Sequence, residues 1–109
     1  MINKVAEKIK DEKEKEDPIE VKLEKYRNIT KEALRKVGIK AEEGTEDYDK
    51  GESFVRMAKD YYSDADYFEK QGKKLTALAA YSYAHAWLDA GIKAGFLDGK
   101  EDDRLFVLP

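Results

Sequence analysis

Four side chains in this sequence have the types and spacing from which a site could be built. His85, the only histidine, and Asp89 stand at i and i+4 of a stretch with helical period, so they share one helix face. Asp60 and Asp64 repeat that spacing on the preceding helical segment. A tight turn at Gly72 would fold the two segments into an antiparallel hairpin. Residues equidistant from the turn then meet, with Asp60 near position 84 to 85 and Asp64 near 80 to 81. An imidazole and three carboxylates on facing helices are ingredients of a bundle metal centre. Such centres use Glu-x-x-His pairs or several ligands turned inward, whereas these four flank the apolar stripes. The expectation is therefore a partly buried His85 whose ring hydrogen-bonds a carboxylate and steadies the packing, with no metal and no cofactor. A metal set of Asp60, Asp64, His85 and Asp89 is the alternative.

The tyrosines are the second group. Tyr61, Tyr62, Tyr67, Tyr81 and Tyr83 crowd the same hairpin. Helical spacing points Tyr61 to the core and puts Tyr81 at its edge. Tyr62, Tyr67 and Tyr83 fall outside the central stripes, and outward aromatics are typical of protein contact surfaces. With His85 and Asp89 they are the candidate binding residues. Long amphipathic rings can also lie flat on a helix with the hydroxyl in water. Nucleophilic catalysis finds no support, because Ser63 and Ser82 lack a His–acid pair at triad-like placement. The GKK at 72 to 74 is a turn rather than a phosphate loop. The expected protein is not an enzyme and has no catalytic residue.

Composition narrows the classes further. The chain has 109 residues, one domain's worth, of which 41% are charged. Its 21 basic and 24 acidic residues leave a net charge of −3, without the basic excess that nucleic-acid binding requires. Lysine clusters at 4/8/10 and 70/73/74 are short or interleaved with acid. There is no cysteine, no apolar run near the roughly 20 residues that span a bilayer, and no signal-peptide core in MINKVAEKIKDEKEKED. A cytoplasmic location with no membrane partner is expected. The Lys/Glu bias, with only Asn3, Asn28 and Gln71 as side-chain amides, is common in proteins from hot environments.

The elements that must position these residues are helices. Residues 1–16 carry a short stripe (Ile2, Val5, Ala6, Ile9) and then mixed charge, and read as a charged arm, frayed or disordered. The first firm helix, about 18–37, starts with a cap at Asp17, Pro18 at the first helical position and Glu20 three residues after the cap. Its stripe is Ile19, Leu23, Tyr26, Thr30, Ala33, Leu34 and Val37, and Gly38 reads as its stop. The second, about 47–71, carries Phe54, Met57, Ala58, Tyr61, Ala65 and Phe68 and ends at Gly72. The third, about 74–97, is apolar or small nearly all round, except for a strip of Ser82, His85, Asp89 and Lys93. That pattern predicts a buried central helix. Trp87 is expected to fill space beside Ala80, Ala84 and Gly91 and to be mostly buried. The tail, 98–109, ends in four apolar residues at 105–108, which must fold back or meet a partner. The expected fold is all-α, an up-and-down three-helix bundle over 17–97.

Three resemblances bear on function. KQGKKLTALAAYSYA resembles the turn and second helix of a tetratricopeptide repeat, but it occurs once, so there is no array. The same hairpin is similar to the helical domains that accompany minimal nucleotidyltransferases and act as RNases. The arginine that such nucleases place four to six residues before a histidine is replaced here by Leu78, Ala79 and Ala80, which removes the mechanism. The closest resemblance, carried by DYYSDADYFEKQG at 60–72 and ALAAYSYAHAWLDAG at 77–91, is to the small archaeal domain-of-unknown-function family 357, over roughly 19–97. It implies a compact three-helix bundle from an archaeon, and it brings no activity. The expected role is a non-catalytic helical protein-interaction module whose partner is a protein, a second copy included. An accessory domain of a nucleotidyltransferase-like or metal-dependent enzyme is the alternative.

Overall fold

The computed structural model describes residues 17–108, so the arm read over 1–16 lies outside it. Helices α1 (Pro18–Lys36), α2 (Glu46–Lys70) and α3 (Lys74–Lys93) pack as an all-α three-helix bundle. α3 is central, lying against both α1 and α2, which touch each other little.

The helix ends follow local chemistry. Asp17 is extended, as a residue before proline must be, and its carboxylate accepts from the Ile19 N–H at 3.0 Å. Lys74, at the start of α3, pairs with Asp17 at 3.0 Å and Glu20 at 3.1 Å. The first turns of α1 and α3 therefore share one end of the bundle. Thr45 caps α2 by accepting from the Tyr48 N–H at 3.1 Å. α2 and α3 both close in the same way, with a positive-φ glycine, Gly72 at 77° and Gly95 at 85°. In each case the next N–H reaches back five residues, Lys73 to the Phe68 carbonyl and Phe96 to that of Gly91, satisfying carbonyls a helix end would leave bare.

Two boundaries differ from the sequence reading. α3 stops at Lys93 rather than 97, because the Gly95 cap redirects the chain into a two-residue strand, β2 (Leu97–Asp98). β2 pairs antiparallel with β1 (Gly38–Ile39), Gly38 opposite Asp98 and Ile39 opposite Leu97. Gly38 is thus a strand residue rather than a helix stop, and α1 ends instead on Val37 in extended conformation. Two residues per strand are too few to show as an alternating pattern.

The core has two parts. Near the paired strands, Ala33, Ala58, Leu88 and Ile92 are joined by Leu97, Leu105 and Phe106. Toward the hairpin turn, Leu23, Ala65, Ala77 and Ala80 surround Tyr81. Leu97 takes the space assigned to Trp87: a Cβ on Gly91 would stand 2.7 Å from Leu97 Cγ, so glycine is what lets Leu97 seat over α3. Trp87 is mostly buried, as expected, but against Phe54, its ring centroid 5.8 Å away, rather than beside Gly91. The tyrosine assignment is reversed as well. Tyr81 is fully buried, and Tyr61 is partly exposed and stacked on Tyr83 at 5.3 Å. Tyr26 is also outward, at 39% exposure.

Candidate functional site

The candidate residues fall into two groups that the structure keeps apart. His85 and Asp89 face α1 and the tail. The His85 Nε2–H donates to the Leu105 carbonyl, and Nδ1 lies 3.2 Å from the Thr30 hydroxyl. A carbonyl can only accept, so Nε2 carries a proton, while Nδ1 and the buried Thr30 hydroxyl, each able to donate or accept, share the second bond. One turn on, Asp89 Oδ1 accepts from the Val107 N–H at 3.0 Å. The expected partner of the imidazole was a carboxylate. It is a hydroxyl and a backbone carbonyl instead, because Asp89 is occupied two residues further along the tail.

The tail is fixed from α1 as well. Lys36 pairs with Asp102 at 2.7 Å and Glu32 with Arg104 at 3.1 Å. Asp102 also accepts from the Arg104 and Leu105 N–H groups. The Lys36 hydrogen bond, aided by these backbone donors, holds the Asp102 carboxyl below its ordinary pKa. Leu105 and Phe106 are consequently buried. His85 and Asp89 are a clamp on the tail.

Asp60 and Asp64 are exposed on α2 and do not join that clamp. The alternative metal set is not assembled: among the described residues no group of three or more His, Asp or Glu side chains converges on a point that could hold a metal ion. Equidistance from Gly72 placed Asp60 at the level of His85 along the axis but ignored rotation, and the imidazole faces α1 rather than α2.

Tyr62 belongs to the interior too. It packs edge-on to Tyr81 at 5.3 Å, and burial, with Asp66 nearby, pushes its phenol pKa up. The Tyr81 hydroxyl donates to Glu69 at 2.9 Å, and Glu69 also pairs with Arg27 at 2.5 Å. A buried phenol needs such a partner, and this one links all three helices. Burial and the Glu69 bond raise the Tyr81 pKa strongly.

Tyr67 and Tyr83 remain outward, each 59% exposed. Tyr83 leads to the surface that residue-type reasoning missed. Leu75, Ala79, Ser82, Ala86 and Ala90 are exposed along the outward side of α3. Two open depressions lie there in series. Ala79, Ser82, Tyr83 and Ala86 line one of about 320 Å³, and Tyr83, Ala86, Trp87 and Ala90 line one of about 260 Å³. The signal was present in the sequence: residues 75–88 contain no Asp, Glu, Lys or Arg in a chain that is 41% charged. Read as burial all round, it is burial on one side only. Single exposed apolar residues are ordinary; here they form a contiguous row along one side of the helix. Among the described residues no helix is long and apolar enough to cross a membrane.

Fold and surface together define a small helical bundle with a bare apolar helix face and no assembled metal-binding group among the described residues. Residues 25–97 match the sequence model of a family described as a protein of unknown function (DUF357), and the chain belongs to that family. No curated protein and no solved structure matches the chain.

Proposed function

We propose that this protein is a non-catalytic protein-interaction module whose docking surface is the outward side of α3. One observation carries the reading, the uncharged exposed row from Leu75 to Ala90 with its two depressions. Burying that row in a partner removes apolar surface from water without desolvating any charge. His85 and Asp89, which would have argued for chemistry, are committed to the tail. An accessory domain of an enzyme would need such a surface as well, to be held to that enzyme.

A photo-crosslinking amino acid placed at Ala86, with a control at the exposed Asn28 of α1, tests the reading in the native host. Adducts with one defined protein from position 86, absent from position 28, are expected. Adducts from neither position, or the same set from both, would refute it.

A further inference from the structure

The geometry of the depressions points to their occupant. Each is lined by residues at i, i+3, i+4 and i+7 of α3. Those are the four positions that form a hole for one knob of a facing helix in knobs-into-holes packing. Two holes one turn apart specify a helix as the partner. The same row supplies matching knobs, since Leu75 is 66% exposed one turn before Ala79. We propose that a second copy of this chain packs its α3 antiparallel against this face. The inference rests on the reading of that face as a docking surface.

Register follows from the spacing. With the helices antiparallel, Leu75 of one copy enters the hole of Tyr83, Ala86, Trp87 and Ala90 on the other. Ala79 then meets the hole lined by Ala79, Ser82, Tyr83 and Ala86, and the two-fold axis passes between positions 80 and 81. Each contact recurs by symmetry, as an isologous interface requires. Alanine at 79 and 86 lets the backbones approach closely. An identical partner also brings identical charges, which repel where they meet near the axis. From Leu75 to Leu88 there are none, so α3 meets its own copy without opposing like charges along the row. The row is about 22 Å long at 1.5 Å per residue and about 10 Å wide, the width of one helix. That is small against the roughly 800 Å² each partner buries in a standard interface. The dimer is therefore weak and reversible.

The test uses the full chain. Sedimentation velocity up to about 1 mM should show a concentration-dependent dimer. Ala86→Glu should weaken it at least about tenfold, since it buries an unpaired charge, with the helical circular dichroism unchanged. Because the chain has no cysteine, single cysteines report register. Ser82→Cys lies beside the axis and should form an intermolecular disulfide readily. Ala90→Cys should not, because its two copies lie roughly 28 Å apart along the helices. A monomer throughout the concentration range overturns the proposal. In that case an Ala86 photo-adduct with a different protein would still support a docking face. A dimer indifferent to Ala86→Glu, or one in which Ala90→Cys cross-links as fast as Ser82→Cys, also overturns it.

Discussion

α1 and α3 begin at the same end of the bundle and press alanines into the same interior, yet their outward sides are opposites. α1 shows water Lys22, Glu24, Lys25, Asn28 and Lys31, with Val21 and Tyr26 among them; α3 shows Leu75, Ala79, Ser82, Ala86 and Ala90. Neither outer row holds the bundle together. What differs is what each row permits. A charged helix surface keeps other chains away through hydration and mixed charge, whereas a bare row of alanines is inert to water and open to another backbone. Within α3 the same contrast recurs on two sides. Leu88 and Ala84 are fully buried, and the alanines opposite them are not. Apolar character in a helix therefore has two separable uses here, and mutation can tell them apart.

The largest effect belongs to the inner side. Leu88→Ala removes a fully buried side chain from the part of the core that also holds Ile92, Leu97 and Phe106. Urea denaturation should show a loss of about 3 kcal/mol, within the roughly 2–5 kcal/mol such truncations cost. A loss under about 1 kcal/mol would mean that the inward side of α3 does not carry the core.

That contrast also shows how far the sequence could be read. Three helices, the Asp17 cap and the Gly72 turn were legible because each depends on neighbours a few residues apart. Trp87 is mostly buried as expected, but its place beside Gly91 and the edge position of Tyr81 were misread because rotation about the helix axis is decided by distant residues. Leu97 arrives over Gly91 from beyond the helix and takes the place that Trp87 was given. Glu69 and Arg27, on two other helices, give the Tyr81 hydroxyl a partner and so allow full burial. For the candidate site, the spacing of His85 and Asp89 correctly put them on one face. Only the fold shows that residues 105–107 occupy that face.

The clamp should give a smaller effect than the core. His85 makes two side-chain bonds, to Thr30 and Leu105, and glutamine can replace one. His85→Gln is expected to cost about 1 kcal/mol. Hydrogen exchange should then speed up at Leu105 and Val107 while the centre of α1 stays protected. Unchanged exchange in the tail would separate His85 from the tail and reopen a chemical role for the ring.

Titration gives a further, shallower comparison, between the ends of the bundle and its interior. Asp17 and Asp102 have lowered pKa values, each chiefly through a hydrogen bond from a lysine, Lys74 and Lys36 respectively. A carboxyl whose folded pKa is depressed adds stability above its ordinary value near 3.8. That stability is lost as pH falls through the folded value. Tyr81 is shifted the other way, upward, by burial and by Glu69. Its contribution is complete below the ordinary phenol pKa of 10.0 and declines as pH rises beyond it toward the folded value. Stability should therefore be level near neutrality, with a shallow decline below about pH 4 and a further decline above about pH 10. In Tyr81→Phe the alkaline decline should become shallower and the acid limb should stay put. An alkaline limb unchanged in Tyr81→Phe would remove Tyr81 as its source.

The smallest effect is the one that defines the outward row. Ala79 is exposed and Ala80, its neighbour, is 7% exposed, so adjacent positions sample the two sides of the same helix turn. Ala79→Gln leaves helix propensity nearly unchanged and places an amide where water already is. Surface changes of this kind usually stay within about 0.5 kcal/mol. Measured in dilute solution, where association contributes nothing to stability, Ala79→Gln should unfold at the same denaturant concentration as the parent. Ala80→Gln must push its amide into the packing around Tyr81 and should unfold earlier. If the two variants lose stability equally, α3 is enclosed on every side as its sequence alone suggests, and the bare row is part of the fold. If only Ala80→Gln loses stability, the alanines of the outward row contribute nothing to the monomer, and their uncharged run has its use outside it.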